Sequence, residues 1–136
     1  VFQNFSLIPR LPVWENITYP QIPRGLSAAK RRQAADGVLS RLGLAAKADV
    51  PPEELSGGEQ QRVAVARALI GDPEVIFADE PTSNLDRRAA TELAAILQEI
   101  NAGGTTLVVS THDTLLAESA SLVFTLEDGR LVDETA

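Results

Sequence analysis

The stretch 55–86 constrains the fold of this chain most, because it combines a glycine-rich turn, a helix, a break and a short apolar run. Ser56 and Glu59 have the Ser-x-x-Glu spacing of a capping box, in which each side chain satisfies a backbone N–H at the helix start. Apolar residues then recur at helical spacing, and Gly71-Asp72-Pro73 is expected to end the helix. The pattern predicts a capped helix with one face packed inward.

Gly57 and Gly58 in the first turn are poor helix formers, at a cost of about 1 kcal/mol each relative to alanine. They leave bare backbone N–H groups at the positive end of the helix, where a phosphate can approach without meeting a Cβ atom. Taken alone, Ser-Gly-Gly is more typical of an ordinary capped helix. The turn by itself therefore leaves both interpretations open.

A short apolar run, Val75–Ala78, follows the break and predicts a strand buried on both faces of a parallel sheet. Asp79 and Glu80 come directly after it, and Pro81 prevents the strand from continuing. Ligands of open α/β sheets bind outside the carboxyl ends of strands. One carboxylate could hold Mg²⁺ there and the other could deprotonate a water, although such a pair alone is more often a solvated loop.

Together these motifs resemble the ATP-binding cassette (ABC) ATPases. LSGGEQQR, an apolar strand ending in ADEP, and SNLD are similar to that family's signature motif, Walker B motif and D-loop, in the expected order. Glu59 stands where the most quoted form of the signature has glutamine. The resemblance implies an α/β fold: a partial P-loop NTPase-type domain with a parallel sheet core and a helical subdomain that presents the signature motif.

The resemblance also divides the chain into three segments of one partial domain. Residues 1–13 form the Q-loop segment, 14–70 the helical subdomain, and 71–136 the core with a C-terminal hairpin. No Gly-x-x-x-x-Gly-Lys-Ser/Thr sequence occurs in the 136 residues, and none of them is methionine. The chain is therefore expected to be a fragment that lacks the P-loop strand and the N-terminal β-subdomain and is inactive alone.

Four polar residues each follow the end of a predicted strand, so they are expected to meet at one edge of the sheet. They are Gln3, Asp79, Glu80 and His112. A lone histidine or glutamine is usually structural, and it is the resemblance that assigns the roles. It implies ATP and Mg²⁺ as cofactors, Asp79 and Gln3 as metal-site residues, Glu80 as the general base, and Gln3 and His112 beside the γ-phosphate and the attacking water.

The resemblance further implies a head-to-tail dimer with a second ABC ATPase domain. In such a dimer the signature turn and the D-loop contact the nucleotide that the other subunit holds. The residues concerned are Ser56, Gly57, Gly58, Glu59, Gln60 and Asp86. Asp86 also suits a helix N-cap, and the two roles are compatible.

Composition limits the partners. The net charge of −7 argues against a nucleic-acid-binding surface, and no apolar run is long enough to span a bilayer. Any membrane association is therefore expected to come through a partner. The resemblance implies that this partner is a permease subunit and that the chain lies at the cytoplasmic face of the inner membrane. The apolar Phe5–Trp14 segment is the candidate docking surface, with a satellite core as an equally weighted alternative.

The motif ADEPT with Asn84-Leu85-Asp86 resembles the lipoprotein-release and macrolide-export group. The alternatives are an importer subunit, a soluble ABC ATPase of translation or DNA repair, and an inert truncation product.

The remaining elements follow from local patterns. Ser27 is expected to cap a helix whose arginines face solvent, and Tyr19–Gly25 is expected to be a linker. Residues 105–110 predict a second buried strand. Asp128-Gly129 predicts the primed turn of a hairpin.

Overall fold

The computed structural model describes residues 1–135, so Ala136, the last residue of the predicted 71–136 core segment, lies outside the described residues. Five α-helices and four strands are described in that range. They are α1 Val13–Thr18, α2 Ala28–Arg41, α3 Gly57–Leu69, β1 Val75–Asp79, α4 Arg87–Ala102, β2 Thr106–Ser110, α5 Thr114–Glu118, β3 Val123–Glu127 and β4 Arg130–Thr135.

The first three helices pack against one another around apolar side chains that recur at helical spacing. The fully buried residues here include Val13, Ile17, Ala35, Leu39 and Val63. The start of α2 is capped as predicted, because the Ser27 side chain accepts from the Lys30 N–H. The predicted linker is wrong in part, since Tyr19–Arg24 forms a 3₁₀ helix with a proline as its second residue.

The arginines of α2 do not all face solvent as predicted. The guanidinium carbons of Arg31 and Arg32 lie 5.5 and 5.6 Å from the centroid of the Trp14 ring. Arg31 donates to the Thr18 hydroxyl at 3.2 Å, and Arg32 pairs with Asp49. A guanidinium can lie over an aromatic face and still use its N–H groups, which is why periodicity alone misjudged this helix face.

β1 and β2 form a parallel pair with Val75 opposite Thr106 and Asp79 opposite Ser110. Val1 continues this sheet on the other side of β1. Its N–H donates to the Phe77 carbonyl, and the Asp79 N–H donates to the Val1 carbonyl at 3.0 Å. This is the hydrogen-bond pattern of a parallel pair, so three segments end at the same edge of the sheet.

The predicted burial of β1 and β2 on both faces is wrong. Ile76 and Ala78 are buried against the helices on one face, whereas Val75, Phe77 and Val108 on the other face are 43%, 68% and 47% exposed. The covered face shares one apolar cluster with α4 and α5. No helix among residues 1–135 covers the opposite face, so an apolar run typical of two-sided burial is buried on one side only.

The hairpin of β3 and β4 is confirmed. Asp128 and Gly129 have φ angles of 49° and 74°, the pair of positive values that a type I′ turn requires. The register shifts between Thr125 and Leu126. Within the described part of the chain, no helix has the length and apolar character needed to cross a membrane.

Candidate functional site

Glu80 lies at the point where β1 turns away from the sheet. Its φ of 44° is in the left-handed region, where a residue with a side chain is strained by about 1–2 kcal/mol. Main-chain hydrogen bonds hold it there. Its N–H donates to the Ser110 carbonyl at 2.9 Å, and its carbonyl accepts from the Ser83 N–H at 3.2 Å and the Ser83 hydroxyl at 3.0 Å. Pro81 follows, so the strand cannot continue.

The side chains of Glu80 and His112 meet in space. His112 Nδ1 lies 2.9 Å from Glu80 Oε2, although the two atoms are not aligned for a directed hydrogen bond. The imidazole is 78% exposed and the Glu80 side chain 23% exposed. The contact with the Glu80 carboxylate, followed by its negative charge, raises the pKa of His112. The chain's only histidine is therefore poised to hold a proton beside a largely shielded carboxylate.

Asp79 projects from the open face of the sheet beside Ser110. The Ser110 hydroxyl donates to Asp79 Oδ1, and the two residues are opposite each other in the β1–β2 register. An exposed carboxylate with a hydroxyl next to it is an all-oxygen donor set, which suits Mg²⁺. The sequence reasoning missed Ser110, although its position as the last residue of a parallel strand was a usable signal.

Gln3 lies in an exposed turn closed by the Phe5 N–H, which donates to the Phe2 carbonyl at 3.2 Å. The Gln3 carbonyl accepts from Asn84 Nδ2 at 3.0 Å. Val1, two residues earlier, pairs with the end of β1. The structure thus brings Gln3 to the sheet edge where Asp79 and Glu80 lie.

The glycine-rich turn begins α3 with the predicted capping box. The Ser56 hydroxyl accepts from the Glu59 N–H, and Glu59 Oε2 accepts from the Ser56 N–H at 2.8 Å and from its hydroxyl at 2.9 Å. These hydrogen bonds lower the pKa of Glu59. The next side chain, Gln60, donates to the Leu55 carbonyl at 3.1 Å.

The two glycines differ in their surroundings. Gly57 is exposed, and a Cβ atom there would meet only the Asn84 carbonyl, at 3.8 Å. A Cβ atom on Gly58 would lie 2.9 Å from Ala89 Cβ, closer than real Cβ contacts. Close packing against the start of α4 therefore gives Gly58 a reason to be glycine that has nothing to do with a phosphate.

Asp86 caps α4, because its side chain accepts from the Ala89 N–H at 2.8 Å. The N-cap interpretation is confirmed. The starts of α3 and α4 are neighbours through Gly58 and Ala89, so Asp86 lies near the glycine-rich turn. The six residues expected to act on a second subunit's nucleotide all lie in the stretches that begin these two helices.

Three polar side chains that the sequence reasoning missed hold the loops of the site. Gln61 is fully buried and donates to the Pro81 carbonyl at 2.7 Å. Asn16 is fully buried and bonds the backbone of Ile8 and Leu11. Arg67 donates to two carbonyls of the loop after Gln3. A polar residue on the inward, apolar side of a helix is the available signal, because such a group needs a hydrogen-bond partner once it is shielded from water.

The fold and the site define a class. Consecutive carboxylates and an imidazole at the carboxyl edge of a parallel sheet, next to a helical unit with a glycine-opened helix, are the parts of a P-loop NTPase-type ATP-binding cassette.

Comparisons with known proteins agree. Residues 1–83 match the family model described as "ABC transporter". The chain is 44% identical over 136 residues to the macrolide export ATP-binding/permease protein MacB of Rhodopseudomonas palustris, and 48% identical over 135 residues to the uncharacterized ABC transporter ATP-binding protein YbbA of Escherichia coli K12. The chain belongs to the ABC transporter family, as an ATPase domain.

Solved structures give the same result. The dimeric ATP-binding cassette MJ0796, bound to ADP and Pi, superposes with a TM-score of 0.85 at 38% identity, covering 98% of this chain and 61% of that one. CbiO1 of Clostridium perfringens, part of the ABC transporter complex CbiONQ, gives a TM-score of 0.86 at 29% identity, covering 98% and 55%.

The match spans only part of each relative. The match to the MacB protein covers all of this chain and only 21% of that protein. The match to the YbbA protein covers 98% of this chain and only 59% of that protein.

Proposed function

We propose that the full-length protein is the ATP-binding and ATP-hydrolysing subunit of an ABC transporter of the export or lipoprotein-release type. The observation that carries the proposal is that Gln3, Asp79, Glu80 and His112 follow segments that end at one edge of the parallel sheet. There the His112 side chain contacts Glu80, and the Gln3 carbonyl accepts from Asn84 in the loop after Glu80. The relatives named as export proteins support the direction of transport.

Asp79, with Ser110 beside it, would hold Mg²⁺, which when bound neutralises charge on the phosphate oxygens. Glu80 is the general base. Its carboxylate is largely shielded, and main-chain hydrogen bonds hold its backbone, so it needs little reorganisation to take a proton from water. His112 contacts that carboxylate and orients it, and Gln3 offers an amide to the attacking water or to the metal site.

The glycine-rich turn acts on the nucleotide of a second, head-to-tail subunit. Ser56, Gly57 and Gly58 contact the γ-phosphate, and Glu59, Gln60 and Asp86 support that surface. The exposure of Gly57 and the N-terminal position of the turn on α3 support this role, because free N–H groups there attract anions. The neighbouring cassette MJ0796 is described as dimeric.

A permease is the second partner, and it docks on the Phe5–Trp14 segment of this chain. Phe5, Leu7, Leu11 and Trp14 keep part of their apolar surface accessible. The MacB relative is named an ATP-binding/permease protein, which supports a location at the cytoplasmic face of the inner membrane. Trp14→Asp is expected to abolish co-purification of the permease, and retained co-purification would contradict the docking surface.

The decisive experiment is Glu80→Gln in the full-length protein. Removal of the base leaves binding intact, so ATP should trap a dimer, visible by size-exclusion chromatography, while turnover falls by about 100-fold or more. Glu118→Gln, an exposed change on α5, is the matched control and should turn over normally. Normal turnover by Glu80→Gln would refute the assignment of the base.

A second test uses these 136 residues alone. No Walker A sequence occurs in them, so the amides and lysine that provide most of the phosphate-binding energy are lacking. Titration calorimetry should show ATP binding no tighter than roughly millimolar, about −4 kcal/mol. Micromolar binding would show that the remaining elements suffice.

A further inference from the structure

Arg67 lies in the last turn of α3 and reaches the turn that carries Gln3. Its Nη1 donates to the Ser6 carbonyl at 2.6 Å, and its Nη2 donates to the Phe5 carbonyl at 2.7 Å. A guanidinium presents its N–H groups in a fixed fork, so it can bind two neighbouring acceptors at once. The contact is a clamp on the backbone of two successive residues.

The clamped backbone is strained. Phe5 and Ser6 have φ angles of 55° and 49°, in the left-handed region that residues with side chains rarely adopt. Two consecutive residues of this kind persist only where the surroundings impose them. The two hydrogen bonds from Arg67 provide such a constraint, because they fix the directions of both carbonyl groups.

Arg67 forms no ion pair with a carboxylate among the residues that the structure describes. The ion pairs found there use other basic residues, namely Arg32, Lys47, Arg62, Arg88 and His112. Arg67 is half-buried, and a charge is withdrawn from water at a cost unless its donors are hydrogen-bonded. Its placement is therefore explained by the loop and not by a carboxylate.

The turn that carries Gln3 is held from two sides. Upstream, Val1 pairs with β1, and the Gln3 carbonyl accepts from Asn84. Downstream, the clamp holds Phe5 and Ser6. The upstream anchors belong to the sheet and the loop after Glu80, whereas the downstream anchor belongs to α3, the helix that begins with the glycine-rich turn.

We propose that Arg67 is a positioning residue for ATP hydrolysis: it holds the Phe5–Ser6 backbone and so fixes Gln3 at the sheet edge where Asp79 and Glu80 lie. The inference rests on the proposed role of Gln3. Because Arg67 and the Ser56–Gly58 turn are on one helix, a displacement of that helix by a second subunit's nucleotide also moves Gln3. Arg67 thereby links the two halves of the proposed mechanism.

The test is a double-mutant cycle on the full-length protein, with steady-state ATPase kinetics of Arg67→Lys, Gln3→Ala and the double variant. Lysine keeps the charge but cannot hold both carbonyls in the fork geometry. Each single change should lower kcat about 10-fold while KM for ATP changes less than about 2-fold. The double variant should be no slower than Gln3→Ala, because residues that act as one unit are not additive.

Arg41→Lys is the charge-preserving control. Arg41 is exposed in the last turn of α2, so kcat of this variant should be unchanged. If Arg67→Lys does not fold, as judged by its melting temperature, Arg67→Gln replaces it in the cycle, since its side-chain amide keeps N–H donors on a single nitrogen.

The outcomes separate the inference from the proposed function. The positioning role is overturned if kcat of the double variant falls a further factor of about 10 below that of Gln3→Ala. It is also overturned if Arg67→Lys leaves kcat unchanged while Gln3→Ala lowers it. Either result leaves the proposed function standing. An unchanged kcat for Gln3→Ala overturns the proposed role of Gln3, and the inference with it.

Discussion

The loop after Gln3 and the loop after Asp79 reach the same edge of the sheet, but they are held there by different groups. Main-chain hydrogen bonds anchor the second loop, through the Glu80 N–H and the Glu80 carbonyl. The first loop is joined to the sheet upstream through Val1, but beyond Gln3 side chains hold it: Arg67 binds Phe5 and Ser6, and Asn16 binds Ile8 and Leu11. Both loops contain non-glycine residues with positive φ.

This difference indicates which loop can move. A main-chain anchor is continuous with the sheet and gives way only when the sheet does. A side-chain clamp is released by rotation of a few χ angles and costs one or two hydrogen bonds. The proposed base is therefore fixed to the sheet, whereas Gln3 precedes a loop whose backbone is held by side chains of α1 and α3.

Asn16→Ala is the substitution expected to destabilise the loop after Gln3 most. Asn16 is fully buried, and its side chain accepts from the Ile8 N–H at 2.6 Å and donates to the Ile8 and Leu11 carbonyls at 3.1 and 2.9 Å. Loss of these partners leaves several backbone groups unpaired, so the free energy of unfolding should fall by about 3 kcal/mol. Urea denaturation measures the change.

Asn101→Ala is the control for that experiment, because Asn101 is exposed and makes one side-chain hydrogen bond, to the Thr105 carbonyl. Its effect should stay below about 0.5 kcal/mol. Equal effects of the two changes would show that Asn16 does not hold the loop.

Gln61→Leu tests the loop after Asp79. Gln61 contacts this loop from α3, the helix that also carries Arg67. The substitution removes the hydrogen bond to the Pro81 carbonyl while keeping similar volume, so the free energy of unfolding should fall by about 1–2 kcal/mol. Turnover should fall less than about 3-fold, since the main-chain anchors of Glu80 remain. A loss of kcat as large as that of Arg67→Lys would show that both loops depend on side chains.

Ser6→Val and Ser6→Gly sharpen the strain argument at one position. Ser6 has a φ of 49°, and a β-branched side chain is least tolerant of that angle. Valine should lower the free energy of unfolding by about 1–2 kcal/mol, whereas glycine should change it by less than about 0.5 kcal/mol. Equal stability of the two variants, measured by thermal unfolding, would argue against left-handed backbone at this residue.

The smallest expected effect is a change in the pKa of His112 when its contact with Glu80 is removed. Contact with this carboxylate raises the pKa of His112 above its ordinary value of 6.5. The contact therefore stabilises the folded state below pH 6.5, and this stabilisation is lost as the pH rises through the folded-state value. NMR titration of the single imidazole should give a pKa above 6.5, and Glu80→Gln should return it toward 6.5. An unchanged pKa in that variant would contradict the contact.

Much of the fold could be predicted from local sequence. The capping box of Ser56 and Glu59, the N-caps Ser27 and Asp86, and the Asp128-Gly129 turn all form as expected, because each depends on neighbours a few residues away. The position of Gln3, Asp79, Glu80 and His112 at one edge of the sheet could also be predicted, because the carboxyl ends of parallel strands lie at the same edge.

What the sequence by itself determined was where α2, α3 and α4 begin, where β1 and β2 lie, and which polar residues follow a strand. What the tertiary structure decided was which face of the β1–β2 sheet is covered, why Gly58 must be glycine, and that Arg67, Asn16 and Gln61 hold the loops. These features join residues up to 62 positions apart, as in the Arg67–Phe5 hydrogen bond. Local propensity carries no information about such pairs, because only packing brings them together.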